Sequence, residues 1–188
     1  MQAWEIVSGD GVDALKLVDR ETPTPGPGQV RVRMNANSIN YRDLITIEGA
    51  GARKLPFPTI PNSDGAGVVT AVGKGVKLKE GDRVTSCFFE EWTAGEIGAS
   101  VMASALGGAR QGVLAEEVVL PEHGVIPTPT SLTDEEAATL PCAALTAWHA
   151  LTLPRPVKAG ETVLLLGTGG VSVFAQQYCS IMGARTIV

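Results

Sequence analysis

Residues that bind metals or form disulfides are scarce in this chain of 188 residues. It has two histidines and three cysteines, which are Cys87, Cys142 and Cys179. The cysteines are widely spaced and odd in number, so they form neither a disulfide framework nor a C-x-x-C metal motif. We expect three reduced thiols that pack as small hydrophobic side chains.

Excess basic charge and long apolar runs are also lacking. The 15 Lys and Arg are outnumbered by 20 Asp and Glu, which gives a net charge of −5. Nucleic acids and anionic membranes favour proteins with a basic face. No run approaches the roughly 20 apolar residues of a membrane span, and the N-terminus lacks the pattern of a secretory signal. We therefore predict no nucleic-acid or membrane partner and a cytoplasmic location.

The first two thirds of the chain has the pattern of short β-strands separated by turns. Alternation is clearest where four apolar residues fall on one face: Val30, Val32, Met34 and Ala36. A turn rich in proline and glycine precedes them, and Tyr41 to Gly49 is predicted to be a short helical insertion. Residues 88–112 lack sustained periodicity and predict a long surface excursion. The pattern favours an antiparallel, barrel-like domain.

A helical segment is predicted to follow this β region. Thr133 can cap a helix, and Glu136 can complete a capping box. Pro141 interrupts the pattern. We expect a short helix, a break at Pro141 and a second helix over residues 142–151.

The last 27 or so residues read as strand, glycine turn, helix and strand. Residues 162–166 are an apolar run typical of a buried parallel strand, and the glycines after them allow close approach to a diphosphate. The helix that follows directs free N–H groups at that anion, and Gly183 supplies its left-handed stop. The predicted cofactor-binding residues are Gly167, Thr168, Gly169, Gly170, Val171 and Ser172.

Ser172 stands where the third glycine of the dinucleotide-binding pattern is expected. A merely structural glycine turn would look similar, and the flanking strand and helix are what favour phosphate binding. The residue that selects NAD or NADP lies about 20 residues beyond Gly167, at the end of this chain. The sequence therefore leaves that choice open.

Six blocks occur in a recognisable order: residues 23–30, 40–43, 60–69, 72–84, 140–148 and the glycine turn. Their order and spacing resemble the medium-chain dehydrogenase/reductase superfamily, and within it the zinc-independent members related to quinone oxidoreductase. The resemblance extends from Met1 to Val188.

This resemblance implies a mixed α/β fold. A GroES-like antiparallel β-barrel catalytic domain is expected over residues 1–128, followed over residues 129–188 by the first part of a Rossmann NAD(P)-binding domain. A complete member would be nearly twice as long, so we expect this chain to be an N-terminal part. The resemblance also implies a homodimer at full length.

The resemblance also allows the zinc ligands to be compared. Zinc-dependent relatives have Cys at the position of Asn40 in this chain. They have His at the position of Ser63, and Cys or Asp at the position of Cys142. Neither an Asn amide nor a Ser hydroxyl is a usual zinc ligand, and a catalytic zinc needs three protein ligands. The stretch that would hold a structural zinc contains Cys87 alone among its four expected cysteines. We predict no metal site.

Loss of zinc favours acceptors that delocalise negative charge. The predicted reaction is hydride transfer from NADPH, with NADH also possible, to a quinone, an enone or a related carbonyl. By resemblance, the catalytic residues are Asn40, Tyr41 and Thr146, and Asn40 and Thr146 also contact the cofactor. The residues alone also permit purely structural roles. Asn40 and Tyr41 could form a capped turn that enters a helix, and Thr146 could be an ordinary mid-helix threonine.

Further interpretations remain open at the level of sequence. Asp43 and Asp64 are expected to hold neighbouring active-site groups in place. Aromatic residues of the excursion either line a substrate mouth or pack on their own loop: Phe88, Phe89 and Trp92. The protein is alternatively a zinc-free alcohol dehydrogenase for simple alcohols, a non-enzymatic NADPH-binding protein, or a chain left inactive by a missing second half.

Overall fold

The computed structural model describes residues 1–52 and 54–188. The chain divides into two compact units, Met1–Thr139 and Leu140–Val188. A boundary between compact units is not by itself a boundary between functional domains. The predicted change from catalytic to nucleotide-binding domain after residue 128 therefore stays a prediction.

The larger unit contains an open antiparallel sheet. Its strands are β3 (Gln29–Ser38), β4 (Asp64–Val72), β5 (Arg83–Ser86), β6 (Glu117–Pro121) and β7 (Val125–Pro127). They are arranged in the order β6-β3-β4-β5-β7, and each neighbouring pair is antiparallel. A separate antiparallel pair is formed by β1 (Gln2–Ile6) and β2 (Leu15–Asp19), which are connected through a 3₁₀ turn at Gly11–Ala14.

The predicted mixed α/β fold with an antiparallel N-terminal β domain is confirmed. The sheet is not a closed barrel, however, because β6 and β7 are its two ends and do not pair with each other in the described part of the chain. Sequence alternation reports which face of a strand is buried, whereas closure depends on long-range pairing of the end strands.

The core of the larger unit explains the alternation seen in the sequence. Val30 and Val32 of β3 are fully buried, while Met34 is half-buried and packs against the same cluster. The pairing of β3 with β4 shifts register between Arg31 and Val32, and again between Met34 and Ala36. Such irregularities bend a strand locally, so burial weakens toward its C-terminal end.

The described part of this unit contains three α-helices: α1 (Tyr41–Glu48), α2 (Ala99–Met102) and α3 (Asp134–Ala138). The hydroxyl of Thr133 accepts the N–H of Glu136 at 3.2 Å, and the Glu136 carboxylate accepts the N–H of Thr133 at 2.9 Å. The predicted capping box is confirmed. The predicted excursion at 88–112 is not wholly on the surface, because Leu106 within it is fully buried in the core.

The smaller unit contains α4 (Leu145–Thr152), β8 (Thr162–Leu164), α5 (Gly170–Ile181) and β9 (Arg185–Ile187). β8 and β9 are parallel, and Gly183 has a φ of 73°, as its predicted role as a helix stop requires. α3 ends at Ala138, before Pro141, and α4 begins at Leu145, so two separate α-helices are present as predicted. The second does not begin as a regular α-helix at residue 142, because Pro141 lies in a π-helical turn, Leu140–Ala144, that continues into α4.

The core of the smaller unit is formed by side chains of α4, α5 and the strand region: Ala147, Leu151, Leu165, Ala175 and Cys179. Several large apolar side chains of this unit remain exposed, including Leu164 and Leu166. None of the described helices combines the length and apolar character needed to cross a membrane.

Candidate functional site

The glycine turn connects β8 to α5 as the sequence predicts. Gly167 has a φ of 81°, a left-handed conformation that favours glycine, and Gly169 is the extended residue that precedes the helix. A Cβ added at Gly167 or Gly169 would meet no described atom within 4 Å. The hydroxyl of Ser172 donates to the carbonyl of Leu166 at 3.2 Å, so serine at this position folds back on the turn.

This turn has the features that a diphosphate requires. α5 is 12 residues long and has no acidic residue in its first turn. Its first N–H groups lack partners within the helix, and its dipole places partial positive charge at this end. Thr168 and Val171 are exposed beside the open space. The residues present therefore fit the phosphates of a dinucleotide.

Asn40 and Tyr41 lie at the N-terminus of α1 in the larger unit. The backbone N–H of Asn40 donates to Oδ2 of Asp43 at 2.8 Å, and the N–H of Asp43 donates to the carbonyl of Asn40 at 2.8 Å. These reciprocal bonds fix the start of the helix. The Tyr41 side chain is 77% exposed.

The side-chain amide of Asn40 is the unusual feature of this helix start. Its Nδ2 is buried and has no hydrogen-bond partner among the residues that the structure describes. A buried donor without an acceptor costs about 1–3 kcal/mol, and such groups are rare in folded proteins. This donor fits the predicted role of Asn40 in binding a cofactor or substrate oxygen.

The carboxylate of Asp43 is held from several sides. It is 3% exposed, and Arg42 lies 3.5 Å from its Oδ1. Asn62 donates to its Oδ2 at 3.2 Å. Arg42 also donates to the carbonyl of Leu106 at 2.6 Å and lies 4.7 Å from the ring centre of Phe88. Asp43 thus contacts the helix start directly, in line with its expected supporting role.

Ser63 and Asp64 are buried at the beginning of β4. The hydroxyl of Ser63 donates to Oδ1 of Asp64 at 2.5 Å, and Ser86 donates to the carbonyl of Ser63 at 2.8 Å. Within residues 1–52 and 54–188, no group of three or more His, Cys, Asp or Glu is placed to hold a metal.

The predicted residues of the smaller unit outside the turn lie on its helical segment. Cys142 is half-buried in the π-helical turn, and Thr146 is exposed on α4. Burial raises the pKa of the Cys87 and Cys179 thiols. Raised pKa values keep these thiols protonated and unreactive at neutral pH, in agreement with packed, reduced cysteines.

The aromatic residues of the excursion pack on one another. The ring centres of Phe88 and Phe89 are 4.6 Å apart, and those of Phe89 and Trp92 are 5.8 Å apart. The Trp92 indole donates to the carbonyl of Gly95 at 3.0 Å. Of the two interpretations offered by the sequence, packing within the loop is the one these contacts favour.

Sequence reasoning missed one residue of this region. Asn62 is 1% exposed and has a φ of 71°, and its side chain reaches Asp43. The available signal was the residue type, because Asn is enriched among non-glycine residues with left-handed backbone. That signal identifies a turn and does not reveal the buried contact.

The family model of the alcohol dehydrogenase GroES-like domain matches residues 26–130. A zinc-type alcohol dehydrogenase-like protein of Schizosaccharomyces pombe is 44% identical over 182 residues, which cover 95% of this chain and 53% of the relative. A chloroplastic quinone-oxidoreductase homolog of Spinacia oleracea is 35% identical over 92% of this chain and 50% of its own length. The chain thus spans about half the length of these curated relatives.

Solved structures agree with these relatives. An NAD-dependent alcohol dehydrogenase superposes with a TM-score of 0.87 at 36% identity, over 99% of this chain and 57% of its own. A mycobacterial protein complexed with NADPH gives a TM-score of 0.77 at 30% identity, over 99% of this chain and 52% of its own. The fold is therefore shared with one protein described as NAD-dependent and with another that was solved with NADPH bound.

Proposed function

Because this chain belongs to the medium-chain dehydrogenase/reductase superfamily, we propose that its protein transfers hydride from NADPH to a quinone, an enone or a related carbonyl without a metal ion. NADH is the second candidate cofactor. The single observation that carries the proposal is the buried Nδ2 donor of Asn40, which has no acceptor among the described residues. By the family resemblance, Asn40 occupies a zinc-ligand position. An amide donor there can serve a substrate oxygen where relatives use a metal.

The chemistry of the acceptor follows from that donor. A simple ketone concentrates negative charge on one oxygen when hydride arrives, and a Lewis acid then contributes several kcal/mol. In a quinone or enone the charge spreads over the π system, so hydrogen-bond donors can suffice. The exposed hydroxyl of Tyr41, next in sequence to Asn40, is the proposed orienting group or proton donor.

The bound nicotinamide would supply the hydride, and the residues of this chain would bind and orient it. Residues 167–172 are proposed to hold its diphosphate, because the turn is open and lies at the N-terminus of α5. Asn40 and Thr146 are the proposed nicotinamide contacts. We also propose a homodimer, on the basis of the family resemblance, and a cytoplasmic location, on the basis of the sequence composition.

The test is a comparison of acceptors in the protein that carries this chain. NADPH oxidation is followed optically with quinones, enones and simple ketones, before and after treatment with a chelator. We expect conjugated acceptors to be reduced at rates that the chelator does not change. Turnover confined to simple ketones, or lost on chelation, would contradict the proposal.

A zinc-free alcohol dehydrogenase is the second candidate, because the matching family model is that of alcohol dehydrogenases. The same protein should then reduce NADP or NAD with simple primary or secondary alcohols and leave quinones unreduced. A non-enzymatic NADPH-binding protein would bind the cofactor and give turnover with neither class.

A further inference from the structure

We infer that Asn62 is a positioning residue, which acts through Asp43 to fix the orientation of Asn40. This inference rests on the proposed function, since it assigns a role in the same site. Its geometric part can be tested without any turnover.

The backbone of Asn62 has an unusual conformation for a buried residue other than glycine. A φ of 71° is uncommon outside glycine, and the residue is 1% exposed. Strained conformations persist where the surroundings determine them and are concentrated at functional sites. Glycine would adopt this backbone without steric cost, so the presence of Asn calls for a use of its side chain.

The side chain of Asn62 makes three hydrogen bonds. Its Nδ2 donates to the carbonyl of Ser38 at 2.7 Å and to Oδ2 of Asp43 at 3.2 Å. Its Oδ1 accepts from the amide of Asn37 at 3.2 Å. These bonds connect the end of β3 to α1, the two segments between which Asn40 lies.

One carboxylate oxygen links Asn62 to Asn40. Oδ2 of Asp43 accepts the amide of Asn62 and also the backbone N–H of Asn40, the latter at 2.8 Å. Because Asp43 is buried, this oxygen cannot exchange Asn62 for bulk water at no cost. Loss of the Asn62 amide should therefore allow the Asp43 carboxylate to rotate and release the start of α1.

The excursion is shaped to accommodate Asn62. A Cβ at Gly107 would lie 2.5 Å from the nitrogen of Asn62, and one at Gly112 would lie 2.2 Å from its carbonyl oxygen. The backbone N–H of Val113 donates to that same oxygen at 3.0 Å. The excursion therefore packs closely against the backbone of Asn62. The side chain of Asn62 bonds instead to Asp43 and to the end of β3.

The principal variant is Asn62→Gly, which keeps the left-handed backbone and removes the amide. In the protein that carries this chain, we expect kcat with a quinone or enone to fall by about tenfold, since small displacements of a positioned group cost such factors. The NADPH dissociation constant should stay within about twofold, because Asn62→Gly leaves residues 167–172, the proposed diphosphate site, unchanged. Asn35→Ala is the control, because Asn35 bonds Asp134 and lies outside this network.

A double-mutant cycle separates positioning from general support. If Asn62 acts through Asp43, Asp43→Asn combined with Asn62→Gly should lower kcat no further than the more harmful single change. Independent losses that multiply would overturn the inference. So would an Asn62→Gly variant that keeps wild-type kcat, or one that does not fold, since a positioning residue is dispensable for folding.

Amide hydrogen exchange over residues 38–44 tests the positioning role of Asn62 independently of the proposed oxidoreductase activity. Asn62→Gly should exchange faster in that segment, while Asn35→Ala should not. Faster exchange in a protein without NADPH turnover would uphold the positioning and refute the oxidoreductase proposal. Unchanged exchange together with normal turnover would refute the positioning alone.

Discussion

Arg83 donates two hydrogen bonds to a single carboxylate oxygen of Asp134, at 2.9 Å from Nε and at 2.6 Å from a terminal nitrogen. Asn35 donates to the other oxygen at 2.7 Å. The three residues fasten α3 to β5 and β3. Desolvation acts to raise the pKa of Asp134, but the hydrogen bonds from Asn35 and Arg83 outweigh it and lower that pKa.

Asp134→Asn should destabilise the protein at neutral pH. A lowered pKa in the folded state means that the stabilisation is present above the unfolded pKa of about 3.9 and is lost as pH falls through the folded value. We expect a loss of about 1–2 kcal/mol in the free energy of unfolding at pH 7, as for hydrogen bonds to a partly buried charge. Urea unfolding at pH 7 and pH 3 checks this, because the difference from wild type should shrink in acid.

The control for Asp134 is Asp13→Asn, on the exposed 3₁₀ turn. It should change stability by less than about 0.5 kcal/mol, as surface substitutions usually do. An equal loss in both variants, or a loss in Asp134→Asn that does not depend on pH, would contradict the assignment.

Gly169→Val should abolish binding of the cofactor and leave folding intact. Its Cβ would enter open space, and its φ of −73° and ψ of 172° suit valine, so steric strain in the protein is absent. The side chain would instead occupy the place proposed for the diphosphate. Calorimetry with NADPH measures the loss.

Gly98→Val is a matched control for this change. Gly98 also precedes a helix, has extended backbone and would place its Cβ in open space, but it lies on the excursion. We expect it to bind NADPH as the wild type does. Unchanged affinity in a folded Gly169→Val variant would exclude this turn as the diphosphate site.

Features encoded by neighbouring residues were predictable from the sequence. The capping box of Thr133 and Glu136 forms within four residues, and Gly183 needs only a backbone that other residues rarely adopt. Strand alternation likewise identified Val30 and Val32 as core residues. Each signal is local, so it survives without knowledge of the fold.

Long-range contacts account for what the sequence did not reveal. Leu106 is buried because the excursion returns to the sheet, which no periodicity within residues 88–112 reports. The bond from Asn62 to Asp43 joins residues 19 positions apart. The open form of the sheet also depends on pairing between distant strands, which alternation does not encode.

Tyr41→Phe should lower kcat without weakening cofactor binding. The exposed phenol at the start of α1 is proposed to orient the acceptor or donate a proton, and such a group acts in the transition state. We expect a fall of about tenfold to a hundredfold in kcat, at or below the lower limit of the roughly 10²–10⁴-fold contribution of an acid–base group, at constant Kd for NADPH. Steady-state kinetics across several enones and quinones provides the measurement.

The chain has only two tyrosines, so Tyr178→Phe is the natural control. Tyr178 packs against Trp148 and Phe174 within the smaller unit, and burial raises its pKa. Its substitution should leave kcat unchanged. If Tyr41→Phe also turned over at the wild-type rate, Tyr41 would be a structural residue.

Purified protein should contain no stoichiometric zinc. By the family resemblance, Asn40 and Ser63 stand at two zinc-ligand positions, and an amide and a hydroxyl are poor zinc ligands. Elemental analysis of freshly prepared protein should give well below one zinc per chain, and chelation should not reduce activity. About one zinc per chain, removed together with activity, would show that the reaction uses a metal.

The 188-residue chain expressed alone should associate through its smaller unit and show no turnover. Leu164 of β8 is 66% exposed and Ile187 of β9, its register partner, is 57% exposed, so the short parallel pair presents apolar residues and unpaired strand edges. Such edges are templates for association.

Size-exclusion chromatography should show aggregates at micromolar concentration, and hydrogen exchange should show a protected larger unit with a poorly protected segment 140–188. Leu164→Lys should reduce association because a charge blunts the edge, whereas Ile97→Lys, on the exposed excursion, should not. A monodisperse 188-residue species that oxidises NADPH with a quinone at an enzyme-like rate would show that these strands need no further cover.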